Sequence, residues 1–211
     1  SDTGEATVNS PLTFTSANWN TPQTVTVTGV DDNIIDGTIT STLTISVVDA
    51  VSDDDFDGVA NQTVSATTTD NDVAGFTIVQ SSGSTSVSEA GTTDTFTVVL
   101  NAQPASNVVL SVTSGDTGEA TVSTGTLTFT SGNWNTAQTV TVTGIDDNII
   151  DGTITSTITL SVVDAVTDDN FDAIADQTVS ATTTDNDTAG FTIAETGGST
   201  AVAETGSTDT F

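Results

Sequence analysis

The decapeptide Thr69-Asp70-Asn71-Asp72-Val73-Ala74-Gly75-Phe76-Thr77-Ile78 returns with one substitution as Thr184-Asp185-Asn186-Asp187-Thr188-Ala189-Gly190-Phe191-Thr192-Ile193, 115 positions later. The same offset carries Trp19 onto Trp134, Ile34-Ile35-Asp36-Gly37 onto Ile149-Ile150-Asp151-Gly152, and Glu89 onto Glu204. Near the N-terminus it falls to 114, because Val8 to Leu12 is one residue shorter than Val122 to Leu127. A period this long is one small domain per repeat, whereas the coils of a solenoid recur every 20–50 residues or so. The sequence divides into the later part of one repeat (1–72), a complete repeat (73–187) and the opening of a third (188–211). Phe211 aligns with Phe96, inside an expected strand, so the chain is read as a stretch of a longer polypeptide.

Within the complete repeat, apolar residues alternate with Thr and Ser. Thr139-Val140-Thr141-Val142-Thr143 and Ile154-Thr155-Ser156-Thr157-Ile158-Thr159-Leu160 each place one apolar and one hydroxyl face on a strand. Gly, Asn and Asp fill the gaps, and no window has helical periodicity. Seven strands are expected, at 75–88, 94–100, 107–113, 125–130, 138–144, 152–163 and 177–184. That density predicts an all-β fold of tandem antiparallel β-sandwiches, immunoglobulin-like in layout and arranged head to tail.

Twenty-nine acidic residues stand without a single Lys, Arg or His. Such a chain has nothing to neutralise phosphates, which excludes nucleic acid as a partner and argues against adhesion to anionic lipid. No apolar run approaches the ~20 residues of a membrane-spanning helix, so no membrane insertion is expected in this segment. Without cysteine there is no disulfide framework. Disorder is the first reading of high net charge, but the acids here are clustered between well-patterned strands. Their repulsion must be offset by salt or by bound divalent cations, and only cations account for the clustering.

If successive strands run up and down the sandwich, four separated stretches deliver acids to one pole. They bring Glu89, Asp116 with Glu119, then Asp146, Asp147 and Asp151, and finally Asp185 and Asp187. The loops after 100 and after 130 reach the other pole and carry no acid. Crowded carboxylates repel, and Ca²⁺ suits such a site because it takes six to eight oxygens in flexible geometry. His and Cys, which would favour zinc or copper, are absent, and Mg²⁺ prefers fewer protein ligands. A solvated acidic rim is the alternative.

Val87-Ser88-Glu89-Ala90-Gly91, Leu127-Thr128-Phe129, Asn133-Trp134-Asn135 before Gln138-Thr139-Val140-Thr141-Val142, the pair Asp146-Asp147 and the closing Asp185-Asn186-Asp187 together resemble the Calx-β domain, in the form found in large repetitive bacterial surface proteins. The likeness runs along the whole chain. It implies a seven-stranded sandwich that binds Ca²⁺ at one end, near the junction with the next domain. By that resemblance Glu89, Asp116, Asp146, Asp147, Asp185 and Asp187 are ligands, with Asp151 as the one further acid after the Asp146-Asp147 pair. The middle of the closing triplet is Asn186, so a ligand there would be neutral or a carbonyl. Asp31, Asp32, Asp36, Asp70 and Asp72 repeat the site in the first copy, with Asp2 in the role of Asp116. That copy has no counterpart of Glu89 and is expected to bind more weakly.

A second acidic stretch, Asp168-Asp169-Asn170-Phe171-Asp172, falls at the opposite pole. In a head-to-tail array it faces the acidic pole of the preceding domain. It is read as a solvated turn with Phe171 tucked onto the core, the alternative being an ion shared between domains. Trp19 and Trp134 are expected to plug the base of the sandwich. Outward Thr rows follow from β propensity, and Asn61-Gln62-Thr63 is a lone glycosylation sequon lost in the second copy. Catalysis is not expected, since no His or Lys is present to activate the many hydroxyls. The sequence therefore points to a Ca²⁺-stiffened structural repeat of an extracellular stalk, fibre or adhesin on the cell surface, each domain adding roughly 35–45 Å. Its partners are neighbouring repeats of the same or identical chains. A carbohydrate-binding module or a passive acidic spacer in a secreted enzyme is the alternative.

Overall fold

Alternation of Thr with Val, Ile or Leu commits the chain to strands, and the structure, a computed structural model describing residues 2–211, contains thirteen of them. The first copy forms two separate pairs. Strand β1 (Ala6–Val8) lies antiparallel to β2 (Val27–Gly29), and β3 (Ile39–Ile45) lies antiparallel to β4 (Gln62–Thr68). Among the described residues neither pair is hydrogen-bonded to a further strand, and Val27, Ile45 and Val64 are exposed.

The complete repeat is a two-layer sandwich of nine strands: β5 (Phe76–Gln80), β6 (Thr85–Ser88), β7 (Thr93–Leu100), β8 (Val108–Ser114), β9 (Ala120–Val122), β10 (Thr126–Phe129), β11 (Gln138–Gly144), β12 (Ile154–Val162) and β13 (Gln177–Thr184). One sheet has the order β10-β8-β12-β13-β6 and the other β5-β7-β11-β9. Two elements differ from the sequence reading. The first expected strand, 75–88, is broken at Ser81–Gly83, where Ser82 (φ 54°) and Gly83 (φ 80°) turn the chain out of the extended region. Its first half pairs antiparallel with β7, and its second half crosses to pair parallel with β13. The second difference is β9, three residues that extend the smaller sheet beside β11.

Inward positions are filled as the alternation requires. Phe96, Val98, Val140, Val142, Ile158, Leu160, Phe129 and Phe171 are fully buried in one continuous core. Val140 stands opposite Phe96 in the β11–β7 ladder, so a branched aliphatic packs beside an aromatic across the strands. Each such side chain contributes about 1.5–3 kcal/mol by leaving water. Trp134 is half-buried against this core, whereas Trp19 is 70% exposed because the first copy has no core for it to plug.

Residues 188–211 form turns and one short 3-10 segment, Thr196–Gly198, and no strand. The expected third-repeat strands need partners. Their equivalents β6 and β7 pair with β13 and β11, whereas residues 188–211 are joined to no strand.

The two copies touch through loops. The Gln103 N–H donates to the Asn33 carbonyl (2.7 Å), with Ile34 bridged in parallel to Gln103. The Asn170 carboxamide donates to the Ile35 carbonyl (3.1 Å), and Ile35 packs against the core of the complete repeat.

Candidate metal centre

The acidic pole is assembled from the β6–β7 turn, the β8–β9 loop, the β11–β12 loop and the segment after β13. Glu89 follows directly on β6, whose parallel pairing with β13 sets it beside residues 184–187. Its own N–H donates to the Thr184 carbonyl (3.1 Å), and the Asn186 N–H donates to its Oε2 (3.0 Å). Glu89 is only 1% exposed. The close approach of β6 and β11 depends on Gly144, whose Cα faces the Ser88 main chain.

Asp185 works as a clamp. Its Oδ2 accepts the N–H groups of Asp151 (3.1 Å) and Gly152 (2.8 Å), and its Oδ1 accepts that of Asp187 (2.6 Å). These bonds hold its carboxyl below the usual carboxylate range, with the Asp187 N–H contributing most. The β11–β12 loop is thereby tied to the end of β13. Asn186 adds a clip, its carboxamide donating to Asp146 Oδ1 (3.0 Å), so the neutral middle residue of the triplet acts as a donor.

Two three-carboxylate groupings result, each with oxygens within 4.8 Å of one another: Glu89 with Asp185 and Asp187, and Glu89 with Glu119 and Asp151. Oxygens bound to one Ca²⁺ at about 2.3–2.6 Å lie no more than about 5 Å apart, so both groupings have the dimensions of a shared ion. Two oxygens of these residues, Glu119 Oε2 and Asp187 Oδ2, are buried and have no hydrogen-bond partner among the described residues. Burial, then the charges of Asp151, Glu89, Asp116 and Asp147, raise the Glu119 carboxyl. Burial, then Asp185, Asp146, Asp147 and Asp151, raise Asp187. For Glu89 the Asn186 N–H pulls downward, but burial and the charges of Asp185, Asp147 and Asp151 outweigh it, and the net direction is upward. A buried anion without a partner is costly, and a hard cation with oxygen preference is the group that fits these donors.

Of the residues expected from the sequence, the geometry gathers Glu89, Asp151, Asp185 and Asp187 into these groupings. Asp146 and Asp147 border them. Asp146 is held by Asn186, and Asp147 Oδ1 accepts the Ile149 N–H (2.6 Å). Asp116 belongs to neither, since its Oδ1 caps its own turn by accepting the Gly118 N–H (3.0 Å). The β8–β9 loop instead contributes Glu119, 7% exposed and absent from the ligands implied by the resemblance. Its main chain is fixed from both sheets, because its carbonyl accepts the Ile145 N–H (2.9 Å) and the Thr183 hydroxyl (3.3 Å). A signal for it was present in the sequence. Glu119-Ala120-Thr121-Val122 repeats Glu5-Ala6-Thr7-Val8, an acid directly before a strand in both copies.

The first copy holds a reduced version. Glu5, Asp32 and Asp36 form one grouping, and the Glu5 carbonyl is pinned by Val30 and Thr68 as that of Glu119 is by Ile145 and Thr183. Asp70 repeats the clamp of Asp185, accepting from Asp36 (3.1 Å), Gly37 (2.9 Å) and Asp72 (2.7 Å). Asp70 and Asp72 belong to no three-carboxylate grouping among the described residues. Asp31 acts on Asp72 only as a neighbouring charge, and Asp2 caps the turn at Gly4 (3.1 Å).

At the opposite pole Asp168 is structural, its Oδ2 accepting the Ser106 N–H (2.8 Å) and its Oδ1 that of Asn170 (3.1 Å), with Phe171 buried beneath. Among the described residues no three-carboxylate grouping forms at this pole or across the contact between the copies.

No family model matches this chain. No curated protein matches it either. Among solved structures it is similar to the surface layer protein SbsC, domains 1-6, at 22% identity and a TM-score of 0.42 over 76% of this chain. It is similar to domains 4-9 of the same protein at 24% identity and a TM-score of 0.40 over 81%. The apo form of the Calx CBD1 domain is similar at 14% identity and a TM-score of 0.36 over 53%. The chain spans 17% and 20% of the two surface layer chains and 98% of the CBD1 chain.

Proposed function

We propose that this chain is a structural segment of an extracellular array of tandem sandwiches, with Ca²⁺ bound at the acidic pole of each repeat and stiffening its junction with the next. The observation that carries the reading is the buried, unpartnered Oε2 of Glu119, a residue whose carboxylate groups with those of Glu89 and Asp151. A solvated rim would turn its carboxylates outward, where water screens them. Here three loops and a strand end converge on Glu89, and no basic side chain exists anywhere in the chain to balance them.

Glu89, Glu119, Asp151, Asp185 and Asp187 would hold the ion, with Asp146 and Asp147 adding charge at the rim. Binding joins the β11–β12 loop to the β6–β7 turn and to the end of β13. The loop it fixes, 31–36 in the first copy, is the one that touches the next repeat. Neutralisation of the pole therefore acts on the junction. A chain made of such units spans distance rather than transforming a substrate.

The test is thermal unfolding of the 211-residue chain at fixed high NaCl, in EDTA and then in millimolar Ca²⁺ or Mg²⁺. At a Ca²⁺ concentration of about 100 times Kd, the expected stabilisation is about 2.7 kcal/mol, a rise of several degrees. Equal midpoints in all three conditions would leave salt screening as the whole account of the acids.

A further inference from the structure

Ile34-Ile35 and Ile149-Ile150 are the same dipeptide in the same loop of successive copies, and their surroundings differ. Ile35 packs against the core of the complete repeat, and Ile34 is 40% exposed beside Gln103. Ile149 and Ile150 are 61% and 57% exposed. Two adjacent β-branched apolar side chains project into water from the most acidic part of the molecule.

The two loops nevertheless have the same conformation. Asp32 Oδ1 accepts the Ile34 N–H at 2.8 Å, and Asp147 Oδ1 accepts that of Ile149 at 2.6 Å. Asp70 Oδ2 holds the N–H groups of Asp36 and Gly37 as Asp185 Oδ2 holds those of Asp151 and Gly152. Gly37 and Gly152 share a positive φ, 74° and 80°. The loop is thus prebuilt whether or not anything covers it, so little ordering entropy opposes docking onto it. Only the first has its partner in place: the Gln103 N–H on the Asn33 carbonyl and the Asn170 carboxamide on the Ile35 carbonyl.

We propose that Asn148-Ile149-Ile150 is a docking plug for a further copy of this same repeat. The incoming copy offers its equivalents of Gln103 and Asn170 to the carbonyls of Asn148 and Ile150, and its core edge to Ile150. The occupant is identified by the first junction, where Asn33-Ile34-Ile35 is identical in sequence to the plug and is seated in this way. The proposal rests on the tandem-array reading and adds to it the residues that set the register between repeats. Successive copies are locked by two main-chain carbonyls and one half-buried Ile side chain. The loop carrying them is flanked by the carboxylates Asp147 and Asp151.

The chain contains no cysteine, so an introduced thiol is unique. Ile150→Cys is labelled with a maleimide in the 211-residue chain and in a chain extended after Phe211 by residues 97–187, which continues the third copy in register. Labelling at least tenfold slower in the extended chain is expected, and equal rates overturn the proposal. The existing junction gives a second reading that does not depend on the added copy folding. There Ile35→Cys should label at least tenfold more slowly than Ile150→Cys in the 211-residue chain, and Asn170→Ala should raise the first rate severalfold without altering the second. Equal reactivity at 35 and 150, or indifference of Ile35→Cys to Asn170→Ala, also overturns it. Protection that persists in EDTA supports docking. Failure of the calcium reading shows separately, as an unfolding midpoint unmoved by Ca²⁺.

Discussion

Gly144 lies so close to Ser88 that a Cβ at position 144 would sit 2.2 Å from the Ser88 carbonyl oxygen. The neighbour is backbone, so no rotamer change relieves the clash. Gly144→Ala should cost about 3 kcal/mol, the upper part of the usual range for overpacking, and should displace Glu89, the next residue after Ser88. Gly29 is the same position in the first copy, where the nearest atom to such a Cβ is the Thr68 methyl at 3.8 Å. Gly29→Ala should be nearly neutral. Denaturant unfolding of the two variants checks the contrast, and equal costs would contradict the close approach.

Glu119→Gln separates the two consequences of a buried carboxylate. In EDTA it removes an anion that has no partner, so the midpoint should hold or rise by a few degrees. In Ca²⁺ it removes a ligand, and affinity should fall at least tenfold, about 1.4 kcal/mol. Asp116→Asn, at a carboxylate committed to its own turn, should change affinity less. Calorimetric titration of the three proteins gives the order. A larger loss at Asp116 than at Glu119 would favour the ligand set that the resemblance implies.

The pole and the sandwich were legible in the sequence for a common reason: alternation fixes which residues face inward, and up-and-down strands fix which loops share an end. The break at Ser81–Gly83 was half legible: Ser81-Ser82-Gly83 offers a local turn, but the crossing of β6 to the other sheet depends on its finding β13 across the molecule. The placing of Glu119 inside a carboxylate grouping and of Asp116 outside it had a similar origin. Both acids lie in one loop, three residues apart. Only the pinning of the Glu119 carbonyl by Ile145 and Thr183, from two different sheets, decides which one points inward. Asn186 spends its N–H donors on Glu89 and Asp146, which the sequence alone does not show.

Phe171 and Phe56 are equivalent residues in unlike settings. Phe171 is fully buried, while Phe56 is exposed in the incomplete first copy. Phe171→Ala should cost about 3–5 kcal/mol and Phe56→Ala no more than about 0.5 kcal/mol. Comparable losses in urea unfolding would mean that the first copy builds a core of its own.

The pH dependence should carry two opposite signs. Asp94 is held below the usual carboxylate range by the Ser81 hydroxyl, then by the N–H groups of Ser86 (2.9 Å) and Thr95 (2.7 Å). A lowered folded value means that its contribution is fully present above the unfolded value, near 3.9, and is lost as pH falls through the folded value. Glu89, Glu119 and Asp187 are raised, so the folded state retains their protons more strongly than the unfolded chain. Their ionisation in the folded state is therefore a penalty, absent below the unfolded values near 4 and complete above the folded ones. In EDTA the midpoint should rise as pH is lowered from 7 toward about 4.5, then fall at more acid pH as Asp94 protonates. Asp94→Asn should lessen the slope of that acid limb, to which the lowered Asp185 and Asp70 also contribute, and cost about 1–2 kcal/mol at neutral pH through its lost hydrogen bonds. In Ca²⁺ the upper limb should invert, since protons compete with the cation for the same oxygens. Unfolding midpoints from pH 7 to 3, with and without Ca²⁺, measure both limbs. A midpoint in EDTA that falls steadily from pH 7 would mean that the pole carries no electrostatic penalty.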